Sequence, residues 1–305
     1  MNLRLPVPEA TPAHRAGNVA IVGRPNVGKS TLLNRLVGTK ISITSDKPQT
    51  TRQQVTGIVT RADAQVVFVD TPGYQTEHRS VLNRAMNRSV AAGLERVDAV
   101  VWVVEALVCD ERDEAVARVL RGDIPVILAV NKTDTVKDKK RLLPYIARFA
   151  GLRDFAAVIP ISAAKGWQVN DLLAAIMPLL PEGPPLHDAD DVTTVNERFL
   201  AAELLREKLF RLLGDELPYA TTVEIERFTE NGNLRRIQAS IVVDREGQKG
   251  IVIGKAGQKL KAIATAARRD MERLFGGKVF LEVWVKVRRG WADSEATMRR
   301  LGYGN

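Results

Sequence analysis

Short apolar runs alternate with stretches of helical periodicity along the first 180 residues. Residues 19–22, 66–69, 125–130 and 157–161 are uncharged and rich in small or β-branched side chains, which is typical of strands buried on both faces of a parallel sheet. Residues 30–37 repeat apolar positions at the spacing of one helix face. The pattern predicts an α/β domain with a mostly parallel sheet and helices on both faces.

The last third of the chain has a different order of elements. Its pattern predicts a helix over 195–213, strands near 219–228 and 234–243, two helical stretches within 248–275 and a strand over 278–287. We therefore expect a second, α+β domain with the order α-β-β-α-α-β.

Proline, glycine and acidic residues mark the boundary between the two domains. Prolines and a glycine cluster within residues 178–185, and an acidic stretch follows at 187–191; this composition ends helices and favours a linker. The expected organisation is a disordered tail at 1–17, a first domain at 18–180, a linker at 181–193, a second domain at 194–290 and a C-terminal tail at 291–305.

A complete G-x-x-x-x-G-K-S motif lies between the first apolar run and the helix that follows it. Gly23 and Gly28 allow backbone N–H groups to converge on phosphate oxygens, and the helix N-terminus adds the positive end of its dipole. Lys29 is placed to reach the β- and γ-phosphates, and the Ser30 hydroxyl is placed to bind Mg²⁺. The spacing predicts a nucleoside triphosphate site.

The motif N-K-x-D follows the apolar run at 125–130 and indicates which base is bound. Asp134 can accept hydrogen bonds from the N1–H and the exocyclic amino group of guanine, whereas adenine has an acceptor at N1 and no amino group at C2. A polar site that the wrong base leaves unmatched discriminates by roughly 10⁴-fold or more. Lys132 can lay its stem across the base, and Asn131 can tie this loop to the phosphate loop. We therefore expect a guanine nucleotide.

The motif D-T-P-G at 70–73 is predicted to form the metal side of the site. Asp70 ends a buried strand and can hold the metal, and the N–H of Gly73 can contact the γ-phosphate. The polar stretch at 45–52 can order over the same phosphate. We favour Thr51 over Thr50 as its metal ligand, but the sequence does not fix which hydroxyl points inward.

A last polar segment, Ser162-Ala163-Ala164, follows the apolar run at 157–161, and the N–H of Ala163 is expected to contact guanine O6. The predicted Mg²⁺ ligands are Ser30, Thr51 and Asp70. The predicted nucleotide-binding residues are Gly23, Arg24, Pro25, Asn26, Val27, Gly28, Lys29, Ser30, Thr31, Asp70, Thr71, Pro72, Gly73, Asn131, Lys132, Asp134, Ser162, Ala163 and Ala164.

These segments, in this order, resemble the translation-factor-related class of small GTPases. Within that class, the G-R-P-N-V-G-K-S loop, Q-T-T-R at 49–52 and D-T-P-G are similar to the Era family. The resemblance implies a P-loop GTPase domain that hydrolyses GTP to GDP and phosphate with Mg²⁺. The residues expected to act in catalysis are Lys29, Thr51, Gly73 and Asn26.

Intrinsic hydrolysis is expected to be slow. Tyr74 stands where many GTPases have a glutamine that orients the attacking water. No arginine can be assigned as a finger, although Arg24, Arg52 and Arg79 lie in or near the phosphate-binding segments. In related GTPases an asparagine at the position of Asn26 helps hold a monovalent cation, so K⁺ is a candidate cofactor; the alternative is an asparagine that suits an unusual backbone angle.

Positive charge is concentrated at the C-terminal end. The chain has a net charge of +9, and residues 245–305 carry 14 Lys and Arg against 6 Asp and Glu, as expected where a polyanion docks. This segment contains a G-x-x-G loop at 254–257 between two predicted helices. In a KH domain such a loop clamps about four nucleotides. The element order resembles the KH arrangement of bacterial ribosomal and ribosome-assembly proteins. The predicted RNA-binding residues are Ile253, Gly254, Lys255, Ala256, Gly257, Lys259, Lys261 and Arg268.

Composition argues against several other classes of protein. The single cysteine, Cys109, excludes an internal disulfide and a cysteine-based metal site, and three scattered histidines do not indicate a zinc site or a catalytic triad. No apolar run approaches the roughly 20 residues that cross a bilayer, and the first residues lack the pattern of a signal peptide. We expect a cytoplasmic protein.

Over residues 18–290, the resemblance to the Era family implies a monomeric GTPase that binds the 3′ end of small-subunit ribosomal RNA during assembly of the small subunit. It also implies peripheral association with the inner face of the cell membrane. Two alternatives stay open: a regulatory GTPase switch whose basic C-terminal domain binds a membrane or a protein, and a P-loop ATPase or small-molecule kinase, against which the N-K-x-D motif argues.

Overall fold

The chain folds into an α/β domain followed by an α+β domain. A computed structural model describes residues 13–45, 47, 50–74, 81–120, 122–214, 217–294 and 297–298. Among these residues, no helix combines the length and the apolar character that crossing a bilayer would need.

The first domain is built on a six-stranded sheet. Its strands have the order β2-β3-β1-β4-β5-β6, and all neighbours are parallel except the antiparallel pair β2 and β3. The parallel sheet expected from the apolar runs is therefore confirmed. The strands are β1 (Arg15–Val22), β2 (Val55–Thr60), β3 (Ala64–Asp70), β4 (Ala99–Glu105), β5 (Val126–Asn131) and β6 (Ala157–Pro160).

Helices cover both faces of this sheet, as the sequence predicts. One apolar cluster contains Leu32, Leu36 and Leu173, and the cluster on the other face contains Val116 and Phe149. Alternate residues of the central strands contribute to each cluster, because side chains on a strand point to opposite faces in turn. The helices are α1 (Lys29–Val37), α2 (Val81–Leu94), α3 (Glu111–Val119), α4 (Leu142–Ala150) and α5 (Val169–Ile176).

The second domain has the predicted order α-β-β-α-α-β. Its sheet has the order β7-β8-β9, antiparallel and then parallel, and α6 and α8 pack against each other and against the sheet. β7 begins at Thr221 and not at Tyr219, because residues 217–220 form a 3₁₀ turn. The elements are α6 (Glu197–Leu212), β7 (Thr221–Asn231), β8 (Leu234–Val243), α7 (Glu246–Ile253), α8 (Gln258–Phe275) and β9 (Lys278–Val287).

Two of the predicted domain boundaries differ from the structure. β1 begins at Arg15, before the expected boundary at residue 18, and the Arg15 guanidinium donates to Leu180 O at 2.6 Å. Trp291, expected to begin a tail, is 1% exposed, and its indole N–H donates to Ala220 O at 3.0 Å. Arg15 and Trp291, which composition assigns to the tails, are therefore part of the folded domains. Residues 1–12, 295–296 and 299–305 of the predicted tails lie outside the described residues.

The linker at 181–193 lies against the edge of the first domain. Ile58 N in β2 donates to Val192 O at 3.0 Å, and the buried Gln65 side chain accepts from the backbone N–H groups of Leu186 and His187. This segment therefore forms a strap that is hydrogen-bonded to the first domain at several points, although its composition is typical of a flexible linker.

Arg52 of the first domain is buried against the second domain, with 2% of its surface exposed. Its guanidinium donates to Thr221 O at 2.9 Å, to Pro218 O at 3.2 Å and to Tyr219 O at 3.3 Å. It also lies 5.7 Å from the ring centroid of Phe210. Hydrogen bonds and a cation–π contact thus satisfy a charge that burial would otherwise disfavour.

Two further contacts hold the domains together. Lys40 Nζ lies 2.6 Å from Glu207 Oε2 on α6, and Thr44 N donates to the same carboxylate at 3.2 Å. Burial alone would raise the pKa of Glu207, but the hydrogen bonds from Lys40 and Lys208 hold it below its usual value. On α2, Leu82 packs in one buried cluster with residues of the second domain. Stretches that flank the phosphate site therefore contact the second domain.

We predict that Arg52→Ala weakens the docking of the two domains. It removes the donors of three inward-facing carbonyl groups and leaves a cavity beside Phe210, so the free energy of unfolding should fall by about 3 kcal/mol. Thermal unfolding and small-angle X-ray scattering measure the two effects. Arg61→Ala, at an exposed arginine of the same domain, is the control. An unchanged melting temperature and radius of gyration in Arg52→Ala would contradict the prediction.

Candidate nucleotide site and RNA interface

The parallel strands of the first domain deliver their loops to one edge of the sheet, where they enclose a cavity of about 480 Å³. Ligands bind at this edge in α/β sheets because the loops and helix N-termini meet there. The cavity brings together most of the predicted nucleotide site. It is lined by Pro25, Asn26, Gly28, Lys29, Ser30, Thr31, Ile43, Thr44, Ser45, Thr50, Thr51, Gly73, Asn131, Lys132, Asp134, Thr135 and Ala164.

The phosphate loop bends tightly around the start of α1. Gly28 has a φ of 102°, and a Cβ there would lie 2.3 Å from Asn131 Nδ2, so a side chain is excluded. Lys29 Nζ donates to the carbonyls of Gly23 and Arg24, each at 2.9 Å. Burial lowers the pKa of Lys29 to about 8, and the Asp70 carboxylate opposes that shift. The loop thus holds a buried ammonium group where a polyanion would contact it.

The predicted metal ligands lie together. Ser30 Oγ is 2.8 Å from Thr51 Oγ1 and donates to Asp70 Oδ2 at 2.8 Å. Asp70 Oδ1 is buried and has no hydrogen-bond partner among the described residues. Burial raises the pKa of Asp70 to about 6, while Lys29 and the hydroxyls of Ser30 and Ser42 lower it. A cluster of hard oxygen donors with an unmatched carboxylate oxygen fits Mg²⁺.

The structure separates the two candidate threonines. Thr51 faces Ser30, whereas the Thr50 hydroxyl donates to Lys47 O at 2.7 Å. Thr51 is therefore the threonine placed for the metal, and its ligand role stays a prediction. Ser42, which donates to Asp70 at 3.1 Å, belongs to no motif and was not predicted.

Asn131 ties the base loop to the phosphate loop, which confirms the prediction. Its Nδ2 donates to Val27 O at 2.7 Å, and its Oδ1 accepts from Ala163 N at 2.9 Å. The Ala163 N–H donates to the Asn131 side chain in this structure, and its contact with guanine O6 stays a prediction. Ala164 lines the cavity.

Asp134 is held ready to accept hydrogen bonds in the cavity. Ser162 Oγ donates to Asp134 Oδ1 at 2.6 Å, and Thr133 is fixed by two hydrogen bonds to Ile161 O. Ser162 therefore supports the residue that is expected to select the base. Thr71 also supports the site from behind, since its hydroxyl donates to Ile21 O at 2.9 Å.

Of the three arginines near the phosphate-binding segments, the two that the structure describes, Arg24 and Arg52, do not line the cavity. Arg24 is 5% exposed and its guanidinium lies 3.3 Å from both Glu105 Oε2 and Asp113 Oδ2. Arg52 is buried between the domains, and Arg79 lies outside the described residues. Asn26 lines the cavity with a φ of 65°, the left-handed angle that the alternative interpretation of this asparagine requires.

The G-x-x-G loop of the second domain joins α7 to α8 with an exposed, sharply turned backbone. Gly254, Ala256 and Gly257 have φ values of 72°, 49° and 75°. A Cβ on Gly254 would lie 2.7 Å from Lys259 Cβ, so the close approach requires glycine. Lys255 and Ala256 are exposed. The loop can therefore present backbone and ammonium groups to a nucleic-acid phosphate.

The predicted RNA-binding residues are not equally close to that loop. Lys255 lies in it, Lys259 and Lys261 follow in the first turn of α8, and Ile253 ends α7. Arg268 lies ten residues after Gln258 on α8, which corresponds to about 15 Å along the helix. It pairs with Glu272 at 2.8 Å. Arg268 is therefore not brought together with the others.

Comparison with known proteins finds matches for both domains. Residues 18–132 match the family model described as 50S ribosome-binding GTPase, and residues 216–292 match the KH domain model. GTPase Era of Stenotrophomonas maltophilia strain K279a is 55% identical over 296 residues, 97% of this chain and 99% of that protein. GTPase Era of Nitrosomonas eutropha is 53% identical over 290 residues, 95% and 98% of the two chains.

The chain belongs to the Era family of GTPases. A tyrosine-to-alanine variant of Aquifex aeolicus Era bound to GDP and AlF4⁻ superposes with a TM-score of 0.92 at 39% identity, over 95% of this chain and all of that one. A structure described as Era in complex with MgGDPNP and nucleotides 1506–1542 of 16S ribosomal RNA gives 0.91 at 38% identity, covering 96% of this chain and 100% of its own. This Era-family chain is a GTP-hydrolysing enzyme with a KH domain.

We predict that Asp134→Asn changes the base preference of this Era-family site from GTP to XTP. The side-chain amino group of asparagine donates a hydrogen bond where the 2-amino group of guanine also donates, whereas xanthine has an acceptor oxygen at that position. Affinity for GTP should fall by about 100-fold or more, as expected for two lost hydrogen bonds to a charged group. Nucleotide titration by calorimetry measures both affinities, and Asp138→Asn, at an exposed carboxylate of the same loop, is the control. Unchanged GTP affinity without a gain for XTP would remove Asp134 from the base pocket.

Proposed function

We propose that this GTPase binds the 3′ end of small-subunit ribosomal RNA through its KH domain and acts in assembly of the small ribosomal subunit. The observation that carries the proposal is the G-x-x-G loop, exposed at the junction of α7 and α8 in a basic segment and attached to a complete GTPase site. One molecule thus combines a single-strand clamp with a nucleotide switch.

The identity of the RNA rests on family likeness. The Era structure that contains nucleotides 1506–1542 of 16S ribosomal RNA covers almost the whole of this chain, and this RNA belongs to the small subunit. The description of the matched GTPase family model names the large, 50S ribosomal subunit. That match ends at residue 132 and does not include the KH domain. The part of the chain that would contact RNA therefore favours the small subunit.

We predict that replacing Lys255 and Ala256 by aspartate abolishes RNA binding and preserves GTP binding. The change places two negative charges where phosphates would lie, and affinity for a single-stranded RNA of the 3′-end sequence should fall by about 100-fold. Fluorescence anisotropy over a range of salt concentrations measures the loss, and calorimetry measures GTP affinity.

The matched control carries the same two changes at exposed positions of the first domain, Lys140→Asp and Ala147→Asp on and beside α4. It alters net charge equally and should leave RNA affinity unchanged. Retained RNA binding in the loop variant would assign the contact to another basic surface and would contradict the proposal. Equal loss in both variants would show a nonspecific effect of charge.

We further propose that K⁺ supports hydrolysis at Asn26. The guanidinium of Arg24 pairs with carboxylates and that of Arg52 donates to carbonyl groups of the second domain. Neither of these two described arginines supplies the positive charge that an arginine finger places at the γ-phosphate. Asn26 lines the cavity beside the phosphate loop, and its side-chain oxygen is of the type that binds a hard cation. The left-handed backbone and cation binding are compatible, since one concerns φ and the other the side chain.

Turnover is expected to rise several-fold when K⁺ replaces Na⁺ at constant ionic strength. The cation would supply positive charge where negative charge develops on the transferred phosphoryl group. Steady-state release of phosphate measures the rate. Asn26→Ala should lose the difference between the two salts while binding GTP. Asn26→Gly, which keeps the backbone angle, separates the backbone from the side chain, and equal rates of the wild type in both salts would exclude the cation.

For location, we propose that the protein acts in the cytoplasm, as a monomer, with association at the inner face of the membrane as a secondary property. The excess positive charge supports an electrostatic contact with anionic lipid. Co-sedimentation with anionic vesicles, in the presence and absence of RNA, tests whether lipid competes for the same basic surface.

A further inference from the structure

Glu105 joins the two loops that form opposite ends of the nucleotide cavity. It is the last residue of β4 and pairs in register with Asn131 on β5. Its Oε2 lies 2.9 Å from Lys132 Nζ of the base loop and 3.3 Å from Arg24 Nη2 of the phosphate loop. One carboxylate oxygen therefore bridges cations from two separate motifs.

The Arg24 side of this bridge is fixed from behind. Arg24 Nε lies 3.3 Å from Asp113 Oδ2, and the Asp113 side chain is fully buried. Asp113 in turn takes part in the capping box at the start of α3, because its carboxylate accepts a hydrogen bond from Asp110 N. The guanidinium thus connects Glu105 to the capped N-terminus of α3.

Lys132 is the member of this bridge that can contact a bound ligand. Lys132 lines the cavity and has a φ of 63°, which turns its side chain out of the strand direction. Its side chain is 35% exposed and that of Glu105 is 27% exposed. An ion pair anchors the ammonium end of this long side chain, and the aliphatic stem then has a defined course along the cavity wall.

We propose that Glu105 is a positioning residue of the GTPase site, which holds the Lys132 stem in the orientation that packs on the guanine base. The arrangement removes rotamer freedom from Lys132 before the nucleotide arrives, so binding does not have to order it. This role concerns GTP and GDP equally, because it acts at the base and not at the γ-phosphate. It is independent of the proposed RNA function.

A double-mutant cycle between Glu105 and Lys132 tests the proposal. Glu105→Ala is expected to weaken GDP binding by about threefold to fivefold, in keeping with a partly exposed ion pair. Lys132→Ala should weaken it more, and the double variant should bind GDP no more weakly than Lys132→Ala alone. Glu105→Gln, which keeps an acceptor for the ammonium group, should restore part of the loss. Single-turnover hydrolysis at saturating GTP should stay within about twofold of the wild type in Glu105→Ala.

Glu114→Ala is the matched control, since it removes the same charge from an exposed position on α3 and should leave GDP affinity unchanged. Unchanged GDP affinity in Glu105→Ala would overturn the proposal. Additive losses in the double variant would also overturn it, because Glu105 would then act without Lys132. A lower melting temperature with additive losses would assign Glu105 a purely structural role through Arg24.

Discussion

The phosphate end of the sheet depends on burying two opposite charges close together. Lys29 and Asp70 are both almost inaccessible to water, and each opposes the shift in pKa that burial causes in the other. Neither charge could be buried alone without a large desolvation cost. The backbone delivers them from two directions, one at the first turn of α1 and one at the end of β3. A triphosphate and Mg²⁺ add the complementary charges, so ligand binding is expected to stabilise the whole domain by mass action.

Much of this arrangement could be predicted from the sequence because it depends on local spacing. The phosphate loop needs glycines at fixed positions before a helix, and the base loop needs its polar residues directly after a buried strand; both conditions are visible in short segments. The second domain was predicted almost element by element for the same reason. β4 carries an apolar run as clear as those of its neighbours and could have been found by the same signal, whereas β2 mixes threonine and glycine with its apolar residues.

The remaining features depend on contacts between distant parts of the chain. Ser42 reaches Asp70 and Glu105 reaches Arg24 across gaps of 28 and 81 residues, and neither belongs to a motif. The Ala163 N–H donates to a side chain from another loop, Asn131, and no motif spacing indicates that contact. Arg52 lies in the polar stretch expected to order over the γ-phosphate, but its guanidinium donates to carbonyl groups of the second domain. Sequence spacing cannot report such competition for partners.

Thr51 and Arg52 are neighbours in the chain and face different domains. Thr51 lies beside Ser30 at the metal side of the nucleotide site, and Arg52 lies among carbonyls of the second domain. A shift of this dipeptide would therefore change the contacts of Ser30 in the nucleotide site and of the carbonyl groups in the second domain together. Thermodynamic reciprocity then applies: whatever factor nucleotide binding exerts on the docking equilibrium of the domains, docking must exert on the affinity for nucleotide. The metal side of the nucleotide site and the interface between the domains are therefore adjacent in the chain at Thr51 and Arg52.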